Sequence, residues 1–284
     1  MSAAFRNGRF VDDSDLTLGY ADAGVVEGAT VTDFARTYGG TLFRWPDHCD
    51  RFERDCAELG ILVPESRAEQ TAAAVRLLQG NHPEVDDAAV IRFATPGPLR
   101  RMNPNLAEAE YRPTFGMHTI PLPASRYAHL AAGARLHLAG RMDAGIVPVH
   151  VKHRSRLAWR LAEQAVPPGR VAMLIDERGH PDTALGAVLA IRGTIVLRPP
   201  VGTVLESVSF LVVRDLCAEL GFDFREGNFD VRDRPSYEAL LLAGTGFGLA
   251  PVAAVDGTAM SRHPTATALI DAFAMSVRSE TSRI

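Results

Sequence analysis

Lys152 is the one lysine in this chain: the sequence holds 30 basic residues, and every other one is arginine. Either side chain can carry a surface charge. Only the amine can lose its proton and condense with an aldehyde to an imine, because a guanidinium stays protonated at any physiological pH. Burial lowers an amine's pKa towards neutrality and so helps it attack a carbonyl. A single lysine left on a solvated surface is the plainer reading, and the residue count alone leaves both open. His48, His150 and His153 lack a metal-ligand spacing, so no metal centre is expected.

The remaining composition narrows the class of protein. The length of 284 residues allows two domains or one large α/β domain, and 46% hydrophobic with 23% charged residues is ordinary for a globular protein. A formal net charge of -4 does not suit a nucleic-acid binder. No stretch approaches the roughly 20 apolar residues of a membrane span. The opening MSAAFRNGRFVDD has no long apolar run, so no secretory signal is expected. Cys49, Cys56 and Cys217 are odd in number and form no CxxC pair, which fits a reducing cytoplasm.

The elements that must position Lys152 can be read from local pattern. GRFVDDSDLTLGYAD reads as short strands around a turn, and VTDFARTYGGTLFRW as a hairpin over Gly39-Gly40. PDHCDRFERDCAELGI is a helix opened by Pro46 and stopped by Gly60, with Phe52, Cys56 and Leu59 on one face. SRAEQTAAAVRLLQG is a second helix, closed by its glycine, and DDAAVIRFAT a buried strand. Residues 96–111 read as a loop, and TIPLPAS as an inter-domain linker. Beyond it ARLHLAG and GIVPVHVK are strands, which puts Lys152 at a strand end just before the helix SRLAWRLAEQAV. VAMLIDERGH is a strand and AVLAIRGTIVLRPP a hairpin. SVSFLVVRDLCAELG is a helix, FDFREGNFDV a strand, and PSYEALLLAGTGFGLAPV a short helix, a strand and a Gly-rich turn. The absence of regular βαβ alternation predicts mixed α+β layers.

In that order the segments resemble the class IV aminotransferases, a group that includes branched-chain and D-amino-acid aminotransferases and 4-amino-4-deoxychorismate lyase. The likeness runs from Gly8 to about Gly257. It rests on GRFVDD…DAGVVEGATVTDFARTYGGTLFRWPDHCDRF, VKHRSRL, RGHPDTALGAVLAIRGTIVLRPP, LESVSFLVVRDLCAELG and GTGFGLAPV. It implies an α/β (mixed α+β), two-domain fold of the D-amino-acid aminotransferase-like pyridoxal-phosphate (PLP) enzymes. The smaller domain would be residues 1–118, the linker 119–126 and the larger domain 127–284, with PLP at the domain interface of a homodimer.

The resemblance also implies roles. Lys152 would form the Schiff base with pyridoxal 5'-phosphate and move a proton at the substrate. Arg51 would bind the phosphate, for which a planar guanidinium is suited, or it would only pair with a nearby carboxylate such as Asp47 or Asp55. Ser207, Val208 and Ser209 open a helix, whose free N–H groups hold anions, and Gly244-Thr245 match a late phosphate turn. Asp182 falls where the family has a glutamate at the pyridine nitrogen, with Thr183 as the rival. Glu27, Thr32, Arg36 and Arg92 are candidates for the substrate, each equally readable as a strand-face charge or polar group. The function expected is transfer of an amino group between an amino acid and a 2-oxo acid. The alternatives are a PLP-dependent lyase and a non-catalytic relative. No nucleic-acid or membrane partner is expected.

Overall fold

The computed structural model describes residues 2–84, 87–142, 148–233 and 236–281. It divides into two compact units: residues 1–123 with 152–155, and residues 124–151 with 156–284. Lys152 thus begins a four-residue stretch that packs with the first unit, although the chain on both sides packs with the second.

The first unit is a sheet covered by helices. Its strands are β1 (Ala3–Arg6), β2 (Arg9–Asp12), β3 (Val31–Tyr38), β4 (Thr41–Leu42), β5 (Ala88–Thr95) and β6 (Thr114–Pro121). They lie in the order β2-β1-β6-β5-β3-β4, all antiparallel. The β3–β4 hairpin turns on Gly39 and Gly40 at φ 52 and 81, the left-handed pair that a two-residue hairpin needs. The helices are α1 (Ala23–Val26), α2 (Trp45–Glu58) and α3 (Arg67–Asn81). Ser66 and Glu69 form a reciprocal capping box at the start of α3. Opposed residues of an antiparallel pair share a face, so Asp33 of β3, Arg92 of β5 and Met117 of β6 line one side of the sheet. Against that side α2 brings His48, Cys49, Arg51, Phe52, Asp55 and Cys56, all buried.

The second unit holds α4 (Ala128–Ala131), β7 (Ala134–Arg141), α5 (Leu157–Ala165), β8 (Val171–Ile175), β9 (Pro181–Thr183), β10 (Ala187–Arg192) and β11 (Ile195–Arg198). It continues with α6 (Val208–Leu220), β12 (Asp223–Glu226), β13 (Ala239–Gly244), β14 (Gly248–Val255), β15 (Thr258–Ala259) and α7 (Pro264–Thr281). The strands run β12-β11-β10-β13-β14-β7-β8-β9, and β9 also pairs back onto β10. Six strands therefore close a ring, and the pair that closes it is Asp182 opposite Ala187. Alternate residues of the ring (Leu136, Met173 and Ile175, Val188 and Ala190, Leu240 and Leu242, Ala250 and Val252) meet in one apolar cluster. Helices α6 and α7 pack on β13, and α5 packs on β8.

Several expectations from the sequence need correction. Of the strand expected over GIVPVHVK, residues 145–147 lie outside the described residues, and Pro148–Lys152 form a turn and a bend. Pro148 has no N–H for a ladder, and its carbonyl accepts the Val151 N–H to close the turn. Helix α3 runs through Gly80 to Asn81, whose side chain exchanges two hydrogen bonds with the Ala3 backbone and so docks the end of the helix. The start of the expected linker, Thr119–Pro121, is still the end of β6, paired with Ala88–Val90. No α-helix precedes β13 over Ser236–Glu238, while Arg234 and Pro235 lie outside the described residues. The 18-residue α7 and the short β9 and β15 were not read from the sequence.

Candidate active site

Lys152 is held by its main chain. Its N–H donates to Asp55 Oδ2 at 2.9 Å, and its carbonyl accepts the Thr32 N–H at 2.8 Å. The next residues continue the attachment: the Arg154 N–H donates to Thr30 Oγ1 at 2.9 Å, and Ser155 Oγ donates to the Gly28 carbonyl at 2.7 Å. No ladder fixes this segment, so these discrete bonds do.

One helical turn before Asp55, Arg51 projects from the same face of α2. Its partner is neither Asp47 nor Asp55, the two carboxylates that helical spacing suggests. Arg51 Nε and Nη2 both donate to Asp33 Oδ2, at 3.1 and 2.7 Å, and the other oxygen of Asp33 accepts His48 Nδ1–H at 2.8 Å. Asp47 instead pairs with Arg44, and Asp55 with Arg54. Burial opposes ionisation of Asp33, but the guanidinium of Arg51, the hydrogen bond from His48 and the guanidinium of Arg92 outweigh it and hold the carboxyl well below the usual range. Burial likewise pushes His48 below its ordinary value, against the pull of Asp33. The imidazole is therefore neutral at pH 7 and donates through Nδ1.

This arrangement has a pH signature. Because His48 takes up its proton more readily in the unfolded chain, stability falls as pH drops below about 6.5. Asp33 adds to the loss only below about pH 4, where the unfolded carboxyl is protonated before the folded one. Thermal scans of the apo-protein between pH 8 and 5 should show a falling midpoint, and His48→Gln should flatten that limb. An unchanged slope in the variant contradicts the assignment.

The substrate candidates are placed less favourably. Arg92 is 1% exposed, donates to the His48 carbonyl and to Gln70 Oε1, and lies over the Trp45 and Phe52 rings. Arg36 is buried, pairs with Asp87, donates to the Thr37 carbonyl and stacks on Tyr38. A carboxylate from solution would have to displace these partners to reach either arginine. Glu27 is ion-paired with Arg101 at 2.8 Å on the surface. Thr32 Oγ1 donates to the Arg92 carbonyl and accepts from Arg154 Nε at 3.3 Å.

In the second unit, Asp182 and Thr183 sit on β9 at the ring closure. Thr183 Oγ1 is consumed by its own loop: it donates to the Gly186 carbonyl at 2.6 Å and accepts the N–H groups of Leu185 and Gly186. Asp182 Oδ1 accepts the Thr183 N–H at 2.8 Å. The preceding turn is clamped by buried His180, whose Nδ1 meets Asp176 Oδ2 at 2.7 Å and whose Nε2 meets Asn228 Oδ1 at 3.0 Å. Asp176, His180 and Asn228 were not singled out in the sequence; the i, i+4 spacing of Asp176 and His180 beside a glycine was the available signal.

Ser207 caps α6, its Oγ accepting the Ser209 N–H at 3.2 Å. The loop before it is braced by a two-point pair between Arg198 and Glu206, at 2.7 and 3.0 Å. Gly244 ends β13, paired with Gly248, and Thr245 opens the β13–β14 turn. A side chain at Gly186 would meet the Ala243 carbonyl at 2.4 Å, and one at Gly244 would meet the Leu185 carbonyl at 2.7 Å. The two loops therefore pack back to back, and only glycine permits it. Among the described residues, no cluster of His, Cys, Asp and Glu is placed to hold a metal, and no helix is long and apolar enough to cross a membrane.

The candidate residues thus form two sets: Lys152 and Arg51 with Thr32 in the first unit, and Asp182, Thr183, Ser207–Ser209 and Gly244–Thr245 in the second. Comparison with known proteins gives these sets a context. The chain is 24% identical over 260 residues to D-alanine aminotransferase of Staphylococcus aureus (strain N315), covering 90% of each chain. Its fold matches the branched-chain aminotransferase of Thermoproteus uzoniensis with a TM-score of 0.85 at 18% identity, over 98% of this chain and 95% of that one. The branched-chain amino acid aminotransferase from Thermobaculum terrenum, solved in its PLP form, matches with a TM-score of 0.81 at 19% identity, over 99% and 95%. The model of the family described as amino-transferase class IV matches residues 30–255, and the chain belongs to that family.

Proposed function

We propose that this enzyme, a PLP-dependent aminotransferase, moves an amino group from an amino acid to a 2-oxo acid with Lys152 as its cofactor-bearing residue. What supports the assignment of Lys152 is its attachment: the only lysine in the chain is tied by its main chain to Asp55, one helical turn from Arg51. The donor set also fits the cofactor. It comprises a primary amine, a guanidinium, a helix N-terminus with two hydroxyls, and a buried carboxylate.

In this reading PLP, when bound, supplies an aldehyde carbon that takes up amino groups and a ring that withdraws electrons. Lys152 Nζ would hold the cofactor and would carry the proton to and from the substrate Cα. The resemblance assigns phosphate contacts to Arg51 in the first unit and, in the second, to the Val208 N–H, Ser209 Oγ and Thr245 Oγ1, with Ser207 and Gly244 shaping the backbone there. The Asp182 carboxylate would keep a proton on the ring nitrogen, since the hydroxyl of Thr183 is already engaged in its loop. Thr32 stays a substrate-side residue, whereas Glu27 is already neutralised by Arg101. A lyase is not favoured, because the curated relative reported above is named an aminotransferase. The enzyme would be cytoplasmic, in keeping with three buried free cysteines, and homodimeric as the resemblance implies.

The test is a half-reaction. The holoenzyme's visible absorbance should bleach on adding a suitable amino acid from a panel of D- and L-forms, and a 2-oxo acid should restore it. Asp182→Ala should slow this by about 100-fold, a loss typical of a removed electrostatic stabiliser, and Thr183→Ala by far less. Release of pyruvate without reversible bleaching would instead mark a lyase.

A further inference from the structure

Asp55 is fully buried, and its two oxygens face different ways. Oδ1 accepts Arg54 Nε and Nη2 at 3.1 and 2.7 Å, and Oδ2 accepts the Lys152 main-chain N–H at 2.9 Å, 97 residues away in sequence. A structural carboxylate on a helix could end its hydrogen bonding at the neighbouring arginine. This one spends half its acceptor capacity on one particular backbone.

That backbone needs it. Lys152 follows a turn instead of a strand, so no ladder sets its position, and its part-buried N–H has in the fully buried Asp55 a fixed acceptor. On the carbonyl side the Thr32 N–H completes the grip. Helix α2 therefore carries Arg51 and the anchor of Lys152 four residues apart, and a displacement of the helix would move both together.

We propose that Asp55 is a positioning residue for Lys152: it places the lysine main chain so that the side-chain amine meets the cofactor in a reactive geometry. The inference rests on reading Lys152 as the cofactor-bearing lysine. It follows that an acceptor oxygen, more than a charge, is what position 55 must supply. Asparagine can offer a carbonyl oxygen to the same N–H; alanine cannot. A misplacement of about 1 Å at a reacting group can cost about 100-fold in rate.

The experiment is capture of added PLP by apo-protein, followed by growth of the visible band and by borohydride trapping with peptide mapping. Asp55→Ala, checked as folded by circular dichroism, should capture PLP about 10- to 100-fold more slowly than wild type. Asp55→Asn should return to within about threefold of wild type. Independently of any variant, the Lys152 amide of the wild-type apo-protein should exchange slowly with deuterium. Fast exchange of that amide overturns the proposal. So does wild-type capture by Asp55→Ala, or equal impairment of the Ala and Asn variants. Failure of wild type to trap PLP at Lys152 would overturn the underlying assignment of the lysine instead, and the two failures are distinct.

Discussion

Lys152→Ala is expected to lower transamination by at least about 10⁴-fold, because it removes both the nucleophile that holds the cofactor and the base that moves the proton. Lys152→Arg should do no better: a guanidinium keeps its proton and cannot add to an aldehyde. The sequence makes the check unusually clean. With a single lysine in the chain, borohydride treatment of the holoenzyme can fix the cofactor only at residue 152 or at the terminal α-amine. Peptide mapping of wild type should give one labelled internal peptide, covering residues 150–156, and the variants none. Persistent turnover in Lys152→Ala would remove the foundation of the proposed function. The main-chain bonds from Lys152 to Asp55 and Thr32 do not involve the side chain, so the variant should fold normally and lose chemistry alone.

The sequence disclosed the outline of this site and hid its couplings. Period-2 and period-3.6 patterns placed β3, α2, α3 and α6, because each buries a regular face of its own, and β5 was legible as an apolar run because nearly all of it is buried. The Gly39-Gly40 turn and the Gly221 stop were legible because glycine tolerates the positive φ that both require. What escaped was non-local. Arg51 finds Asp33, 18 residues away on a strand, whereas helical spacing offers only Asp47 and Asp55. Arg36 and Arg92 resemble surface cations in a linear reading, yet the sheet register turns Arg92 under α2 and places Arg36 against Asp87. The apolar run before Lys152 suggested a strand, but Pro148 interrupts any ladder at the point where the segment turns. Short β9 carries too few residues for a periodic signal, and it exists because β8 and β10 flank it.

The largest stability effect is expected from Asp33→Ala. Asp33 is the carboxylate among three buried basic side chains: Arg51 at 2.7 Å, His48 at 2.8 Å, and Arg92 at 3.8 Å. Removing it leaves two guanidiniums buried without their counter-charge, a change that costs about 3–5 kcal/mol where one partner of a buried pair is deleted. Asp33→Asn keeps the shape and one acceptor but not the charge, so it should destabilise nearly as much, which a loss of packing alone would not do. Trp45 reports on the event, because its ring is buried on α2 with the Arg92 guanidinium 4.3 Å from its centre. In a Trp159→Phe background, urea unfolding followed by Trp45 fluorescence should shift to markedly lower midpoints in both variants. The double variant Asp33→Ala, Arg51→Met should recover part of the loss, since it removes one stranded cation along with the anion. Recovery of stability would come without recovery of phosphate binding, and that separation would assign Arg51 to the cofactor and Asp33 to holding the arginine in place. A shift below about 1 kcal/mol in Asp33→Ala would mean that water reaches the cluster, and that Arg51 is oriented by something other than this ion pair.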